Sequence, residues 1–426
     1  MTGRVGVTGV VLVLLAAAVP AAAAPLERCR DDRSARCGTI KVPVHRAEPQ
    51  GPKLKVRFRV FRHRDRSRPA LEPIVAVEGG PGYGSIDSAS SFEFMLRPLL
   101  GRRDLIVVDN RGTGSSGAID CPRLQLGRGS YVREVGRCGR KLGPRADAYG
   151  TGAAADDLAA VLDRLKVPVV NIYGDSYGTY FSQAFAVRHP TRVRAVVLDA
   201  AFAVTGFDPW EREQLESIRF AWRAVCERSG ACPGDSLDYL GALARRLQRR
   251  PLTGRARDAD GTVRRVRLDG RAIAQLTGDG SFYYAIYRDL VASGRAYDRG
   301  DRRPLLRLGA ESVAAYEPSS DPSSYSEGAY TAVACHDYPN LWEKSASFAE
   351  RREQLAAARA QLAPDTFSPF SIGLWLKSTV EYQLVYGCLR WPAPRFEDPP
   401  VPAGLPDRAR AGAGRRSRLG HASGRL

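Results

Sequence analysis

A serine lies between two glycines in Gly174-Asp175-Ser176-Tyr177-Gly178, directly after an apolar run and directly before a helical pattern. A serine hydroxyl is a weak nucleophile, so enzymes that use it place it within reach of a base. The flanking glycines allow a strand and a helix to approach each other closely, because they carry no Cβ atom. We therefore predict that Ser176 is a nucleophile that attacks acyl carbons. The alternative is an ordinary strand–helix turn that contains a serine.

Acyl transfer also requires hydrogen-bond donors for the oxyanion that develops on the attacked carbonyl group. One predicted donor is the backbone N–H of Tyr177, which directly follows the serine. The other is predicted at Gly80, within the EGGPG loop at 78–82 that follows another apolar run. Glycines let this backbone come close to a substrate. A simple tight turn is the alternative interpretation of the loop.

The elements around these motifs alternate between apolar runs and helical patterns. Predicted strands cover residues 37–46, 55–61, 73–77, 105–108, 167–173 and 194–199, and predicted helices cover 156–165 and 179–188. Several runs are apolar throughout, which is typical of buried parallel strands covered on both faces, and the last run, apolar at 195–198, is also predicted to be buried. A strand, a G-x-S-x-G motif and a helix in this order form the nucleophile elbow of the α/β hydrolases. We therefore predict an α/β-hydrolase fold with a mostly parallel sheet.

The pattern changes after residue 202. Helical patterns at 210–228, 236–249 and 347–362, without further buried strands, predict a helical cap inserted into the hydrolase core. The predicted organisation is a signal peptide at 1–23, a first part of the core at 24–202, the cap at 203–375, the start of a C-terminal core segment at 376–406 and an aberrant tail at 407–426.

The N-terminus predicts export. Arg4 precedes an apolar stretch at 5–19 that is too short for a comfortable membrane span, and small residues follow at 21–24. We expect cleavage after Ala23 and an extracellular protein without stable membrane insertion; an uncleaved anchor is the alternative. In an oxidising compartment the eight cysteines are expected to form disulfides between near neighbours, with the two left over joined to each other. The predicted pairs are Cys29–Cys37, Cys121–Cys138, Cys226–Cys232 and Cys335–Cys388.

The formal net charge of +18 raises the question of a nucleic-acid partner. The positive charge is mostly arginine and is spread along the chain, with one denser stretch at 245–271. That stretch has no interleaved aromatic residues on which bases could stack. A solvated basic surface is the prediction, and no nucleic acid is expected. The chain also lacks C-x-x-C motifs and Cys/His clusters, so no metal site is predicted, and the oligomeric state is left open.

Three motifs in order carry a family resemblance: EGGPG at 78–82, DNRGTG at 109–114 and GDSYG at 174–178. They resemble the secreted tripeptidyl- and proline-aminopeptidase-like serine hydrolases of actinobacteria. AVACHDYP at 332–339 and CLRWP at 388–392 are similar to the cap end and the C-terminal segment of tripeptidyl aminopeptidases. The resemblance covers roughly residues 27–406 and implies cleavage of peptides from a free N-terminus, with Ser176 as nucleophile and a structural role for the Asp109 loop. Glu78 stands where cytosolic proline iminopeptidases tend to have histidine, which weakens any claim of proline specificity.

The acid and the base of a catalytic triad are not found. Their order in this fold is Ser, then Asp or Glu, then His. Residues 407–426 read DRARAGAGRRSRLGHASGRL, with no apolar strand and no acid after Asp407. Read one base later with suitable synonymous codons, this stretch becomes a strand followed by an aspartate loop, so we hypothesise a frameshift near residues 405–407. The five histidines have structural interpretations and none occupies the expected place of a base: His45, His63, His189, His336 and His421.

The predicted function is a secreted serine exopeptidase that acts on peptides without a metal or an organic cofactor. A cap carboxylate is expected to bind the α-ammonium group of the substrate. The candidates are Glu211, Glu213, Glu216, Glu311, Glu317 and Glu327. Two alternatives stay open: an esterase- or lipase-like enzyme on the same fold, and an inactive remnant without turnover. Epoxide hydrolases and dehalogenases have aspartate at the position of Ser176, which argues against those classes.

Overall fold

The computed structural model describes residues 26–230, 235–280 and 285–402. Within them the strands are β1 (Glu27–Arg28), β2 (Ala35–Pro43), β3 (Lys53–Phe61), β4 (Leu71–Val77), β5 (Arg103–Val108), β6 (Val170–Asp175), β7 (Val193–Asp199), β8 (Leu252–Arg257) and β9 (Val263–Leu268). The predicted signal peptide and the tail at 407–426 lie outside the described residues.

The helices follow the same numbering along the chain. They are α1 (Ala89–Met95), α2 (Pro122–Gln125), α3 (Tyr131–Leu142), α4 (Thr151–Leu165), α5 (Tyr177–Arg188), α6 (Arg212–Ser229), α7 (Ser236–Arg249), α8 (Gly270–Asp279), α9 (Ala285–Asp298), α10 (Arg303–Ala315), α11 (Glu327–Asp337), α12 (Phe348–Ala360), α13 (Ile372–Trp375) and α14 (Thr379–Tyr386).

The main sheet has the strand order β1-β2-β3-β5-β4-β6-β7. Strands β5, β4, β6 and β7 run parallel, whereas β3 pairs with β5 in the antiparallel sense. This mostly parallel sheet with its helices confirms the predicted α/β-hydrolase fold. Parallel neighbours bring their carboxyl ends to one edge of the sheet. The segments that follow β4, β6 and β7 therefore meet at that edge.

The strand before the serine begins later than the sequence pattern predicts. We expected it at 167–173, whereas β6 spans Val170–Asp175. The carbonyl oxygens of Val167 and Pro168 accept hydrogen bonds from the Arg192 guanidinium, each at 2.8 Å. These groups are therefore satisfied by a side chain rather than by a neighbouring strand, and regular pairing starts only after them.

The apolar side chains of the central strands are buried on both faces. On one face Val75, Ile172 and Phe181 belong to a core that joins the sheet to α4 and α5. On the other face Leu105 packs in a cluster with Phe92 of α1. Burial on both faces explains why these strands are apolar throughout and do not alternate in polarity.

The last strand of the sheet departs from its prediction. The apolar run at 194–199 predicts a buried strand, but β7 lies at the edge of the sheet and the side chain of Val197 is 57% exposed. In the described part of the chain, no strand pairs with the outer edge of β7. The prediction of burial is therefore wrong for this strand, because an edge position leaves its apolar side chains without cover.

The region between β7 and α14 is mainly helical, but it also contains the antiparallel hairpin β8–β9, which the sequence analysis missed. Arg255, Arg257, Arg265 and Arg267 alternate along its two strands and are exposed. The central part of the dense arginine stretch is thus the solvent side of a hairpin, and its ends belong to α7 and α8. The signal that could have revealed it was this alternation around Asp260-Gly261, since Asp-Gly is typical of hairpin turns.

Three of the predicted disulfides are present in the structure: Cys29–Cys37, Cys121–Cys138 and Cys335–Cys388. The fourth predicted pair includes Cys232, which lies outside the described residues. The third disulfide joins the end of α11 to the segment after α14, across 53 positions of the chain. None of the described helices has the length and apolar character that crossing a membrane requires.

Candidate active site

Ser176 lies at the turn between β6 and α5. Its backbone has φ 48° and ψ −119°, a left-handed conformation that costs a non-glycine residue about 1–3 kcal/mol and persists only where neighbours enforce it. The Ser176 N–H donates to the Asp199 carbonyl oxygen at 2.9 Å, and the Thr179 N–H donates to the Ser176 carbonyl oxygen at 2.9 Å. The Thr179 hydroxyl donates to the same oxygen at 2.6 Å. These bonds hold the half-buried serine at the carboxyl edge of the sheet.

The two glycines of the motif allow the helix to approach the sheet closely. A Cβ atom at Gly178 would lie 2.2 Å from the carbonyl oxygen of Val77, in β4. A Cβ atom at Gly174 would lie 2.2 Å from the carbonyl oxygen of Gly178. Neither distance is possible for real atoms, so this approach of α5 to the sheet requires glycine at both positions.

The loop after β4 lies against the serine. A Cβ atom at Gly79 would be 3.1 Å from the Cβ atom of Ser176. Gly80 has φ +112°, which favours glycine, and a cis peptide bond joins it to Pro81. The structure therefore brings the predicted donor loop, Ser176 and Tyr177 together at one edge of the sheet.

Asp109 supports this loop from the neighbouring strand. Its Oδ1 accepts the Ile86 N–H at 2.8 Å and its Oδ2 accepts the Ser115 N–H at 2.7 Å. The side chain is buried, and burial raises the pKa of Asp109 to about 6. Its contacts are those of a residue that ties two loops together, as the resemblance implies for this segment.

Three carboxyl groups surround the serine turn, since Glu78 follows β4 while Asp175 and Asp199 end β6 and β7. Asp175 and Asp199 are register partners, and the Tyr173 hydroxyl donates to Asp199 at 2.8 Å. Burial and the nearby Glu78 carboxyl raise the pKa of Asp175 to about 7. Neighbouring carboxyl groups disfavour each other's ionisation, so Asp175 retains its proton to higher pH than an isolated aspartate does. The sequence analysis missed this cluster, whose signal was an acidic residue at the end of three neighbouring strands.

The histidines of the described residues bind partners elsewhere. His45 contacts the Pro144 carbonyl oxygen at 2.9 Å, His63 contacts Asp104 at 2.6 Å, His189 contacts Asp156 at 2.9 Å and His336 contacts Asp337 at 2.7 Å. His421 lies outside the described residues. Across residues 26–402, apart from the two gaps, no histidine hydrogen-bonds Ser176, so the structure brings no predicted or unpredicted triad base to the serine.

Two of the six candidate cap carboxylates lie among half-buried tyrosines. Glu211 is buried, and it lines a small cavity with Tyr131, Tyr330 and Tyr338. Burial raises the pKa of Tyr330, and the charges of Glu211 and Glu327 raise it further. Burial also raises the pKa of Glu327 to about 7. These two carboxylates therefore share one protected environment.

The other four candidates lie on the surface of the cap or pair with arginines. Glu213 is exposed. Glu216 pairs with Arg219, Glu311 with Arg307 and Glu317 with Arg264. A carboxylate that already pairs with arginine in solvent has little to offer a substrate cation. The structure thus separates Glu211 and Glu327 from the rest.

Comparison with known proteins places the chain among hydrolases. A family model described as the α/β hydrolase fold matches residues 72–309. The chain is 31% identical over 226 residues to serine protease Hip1 of Mycobacterium tuberculosis. This match covers 47% of this chain and 43% of that protein. It is 22% identical over 333 residues to tripeptidyl aminopeptidase of Streptomyces coelicolor. That match covers 72% of this chain and 61% of the aminopeptidase.

Among solved structures, proline iminopeptidase of Mycobacterium smegmatis is 19% identical to the chain. The match has a TM-score of 0.28 and covers 51% of this chain and 62% of that one. The chain therefore covers less than two thirds of the length of Hip1, of the tripeptidyl aminopeptidase and of the iminopeptidase.

Proposed function

Because the chain belongs to the α/β hydrolase family, we propose that it is a serine hydrolase in which Ser176 is the nucleophile. The observation that carries this proposal is the backbone of Ser176, which is held in a left-handed conformation between β6 and α5. In the proposed reaction, Oγ of Ser176 attacks the acyl carbon, the C–N bond of the peptide breaks and the amine leaves with the proton of the serine hydroxyl. Water then hydrolyses the acyl-enzyme and releases the acyl group as a carboxylic acid.

The oxyanion of the tetrahedral intermediate is proposed to bind the backbone N–H groups of Gly80 and Tyr177. The loop that contains Gly80 lies against Ser176 through Gly79. Tyr177 is the first residue of α5, and N–H groups in the first turn of a helix have no acceptor within the helix. They are therefore available to a developing negative charge, which the positive end of the helix dipole also favours.

The proposed substrates are peptides with a free N-terminus. Peptide substrates are supported by two relatives, of which one is named a serine protease and the other a tripeptidyl aminopeptidase. An exopeptidase must also recognise the α-ammonium group, and Glu211 and Glu327 offer carboxylates near Tyr330, with Glu211 lining a small cavity. We assign the recognition of the ammonium group to this pair, with Glu327 at the start of α11 as the principal residue.

The proposed location is extracellular. The disulfides Cys29–Cys37, Cys121–Cys138 and Cys335–Cys388 support this location, because such bonds persist mainly in oxidising compartments. The proposal also retains the signal peptide at 1–23, the cap at 203–375 and the C-terminal core segment at 376–406.

A second candidate is a folded protein without turnover. The observation that favours it is the position of the histidines, because in the described residues none is placed to take the proton from Ser176. The frameshift hypothesis addresses the acid of the triad, since the alternative frame of residues 407–426 restores an aspartate loop. Without an acid and a base, only binding and oxyanion stabilisation contribute to the rate.

One experiment separates these candidates. The chain as written and a version with the alternative frame restored are treated with a fluorophosphonate and assayed on a tripeptidyl arylamide and on a p-nitrophenyl ester. We expect labelling and arylamide turnover in the restored protein, and loss of both by several orders of magnitude in its Ser176→Ala variant. Retention of more than about a tenth of the rate in that variant would exclude Ser176 as the nucleophile.

The two substrates and the two forms of the protein distinguish the remaining hypotheses from one another. Turnover of the ester alone would favour an esterase, and absence of labelling in both proteins would favour the inactive protein. Comparable arylamide turnover by the two forms would reject the frameshift hypothesis and would assign the base to a histidine of the chain as written.

A further inference from the structure

Helix α11 touches the loop on one side of Ser176 with its N-terminal end. The Ser326 N–H, just before the helix, donates to the Gly82 carbonyl oxygen at 3.0 Å. Tyr325 forms an isolated antiparallel bridge with Tyr83, and the centroids of their rings are 4.6 Å apart. The EGGPG loop that contains Gly80 is therefore attached to the start of α11.

The C-terminal end of the same helix touches the other side of the serine. Oδ2 of Asp337 accepts the Thr151 N–H at 2.8 Å and the Thr151 hydroxyl at 2.5 Å. The Thr151 oxygen is in turn 2.7 Å from the hydroxyl oxygen of Tyr177, the residue after the nucleophile. A short chain of buried hydrogen bonds thus joins the end of α11 to the first residue of α5.

Asp337 itself is held firmly. Its Oδ1 accepts a hydrogen bond from His336 Nδ1 at 2.7 Å, and the two side chains are 0% and 6% exposed. A Cβ atom at Gly150 would lie 2.3 Å from that nitrogen, so the backbone of α4 packs directly against the ring. The disulfide Cys335–Cys388 fixes the chain two residues before Asp337. These contacts account for the CHDY segment, to which the proposed reaction assigns no role.

We propose that α11 is a clamp that sets the separation of the two loops beside Ser176, and that Asp337 is the positioning residue for the backbone N–H of Tyr177. The proposal rests on the proposed function, because it assigns Tyr177 to the oxyanion. Tyr177 is 3% exposed and its ring stacks on Tyr180 at 6.1 Å. With its hydroxyl bound to Thr151 as well, the side chain has both ends fixed, and the first turn of α5 cannot rotate freely.

The test compares three variants of the full chain. Asp337→Asn removes one of the two acceptor oxygens, and Tyr177→Phe removes only the hydroxyl at the other end of the hydrogen-bond chain. Asp269→Asn is the matched control, because Asp269 is also a buried aspartate that accepts backbone N–H groups at the start of a helix, α8. Each variant is measured by thermal unfolding, by amide hydrogen exchange of Tyr177 and by ester hydrolysis.

We expect amide exchange at Tyr177 to accelerate roughly tenfold in Asp337→Asn and Tyr177→Phe and to stay unchanged in Asp269→Asn. In a protein with turnover, kcat should fall roughly tenfold to a hundredfold in the first two variants while KM changes less than about twofold. The unfolding temperature checks that the control variant is destabilised to a similar extent, because Asp269→Asn should lower it about as much as Asp337→Asn does.

The proposal is overturned if exchange at Tyr177 is unchanged in the first two variants, or if Asp269→Asn accelerates it equally. It is also overturned if Tyr177→Phe keeps the wild-type kcat. Failure of the proposed function is a separate result, because the unmodified protein would then hydrolyse no substrate while amide exchange would still decide whether the clamp exists.

Discussion

Replacing Gly178 by alanine should disrupt the active-site turn without changing any polar group. The new Cβ atom would lie 2.2 Å from the Val77 carbonyl oxygen and 3.0 Å from the Val77 carbonyl carbon. Non-bonded heavy atoms normally stay about 3.5 Å apart, so β4 and α5 would have to separate by about 1 Å. Both neighbours of the new atom belong to the backbone of a strand that pairs with β5 and β6. They cannot move aside as a flexible side chain can.

The expected cost follows from this geometry. Overpacking a well-packed interior destabilises by about 1–3 kcal/mol, and a rigid strand as the obstacle favours the upper end, about 3 kcal/mol. The same shift moves Ser176 relative to the donor loop after β4. A displacement of about 1 Å can lower the rate of an enzyme about a hundredfold. We therefore expect losses of both stability and serine reactivity.

The assay is urea unfolding together with the rate of fluorophosphonate labelling, in the form of the protein that reacts. Gly278→Ala is the matched control, because a Cβ atom there would have its nearest neighbour, Trp375, at 4.0 Å. Alanine is favoured over glycine in a helix by about 1 kcal/mol, so this variant should be neutral or slightly stabilised. An unfolding midpoint of Gly178→Ala equal to that of the parent protein would refute the argument from close approach.

Two further predictions concern the cap. If ionised Glu327 binds the α-ammonium group, KM for an aminoacyl arylamide should rise as the pH falls below about 7. The reason is that protonation of Glu327 at its raised pKa removes the negative charge. The Glu327→Gln variant should lose this pH dependence, whereas the control variant Glu311→Gln should keep it. Replacing Cys335 and Cys388 by serine opens a loop of 53 positions and should destabilise by about 4 kcal/mol. An unchanged urea midpoint, or non-reducing peptide mapping that pairs either cysteine elsewhere, would contradict the second prediction.

The features that the sequence predicts well are those encoded within a few adjacent residues. The G-x-S-x-G motif, its preceding strand and its following helix are contiguous, so the turn at Ser176 could be placed from local pattern alone. Buried parallel strands such as β4 and β5 can be recognised in the sequence because they contain uninterrupted apolar runs. The contact between Gly174 and Gly178 is likewise a local property of one turn, whereas the approach of Gly178 to Val77 joins α5 to a distant strand.

The features that the sequence does not reveal depend on distant partners. Asp337 and Thr151 are 186 positions apart, and nothing in either segment indicates that they meet. The exposure of β7 depends on its place in the sheet and not on its composition, which is that of a buried strand. Selection of Glu211 and Glu327 from six carboxylates also needed the folded cap, because their burial and their tyrosine surroundings distinguish them.

The carboxyl pair formed by Glu78 and Asp175 has a consequence for the heat of binding. With its pKa raised to about 7, the Asp175 carboxyl group is partly protonated near neutrality. A cationic group that binds beside it would expel part of that proton into the buffer. The apparent enthalpy of binding, measured calorimetrically, should then vary linearly with the ionisation enthalpy of the buffer, and the slope counts the protons that leave the serine turn.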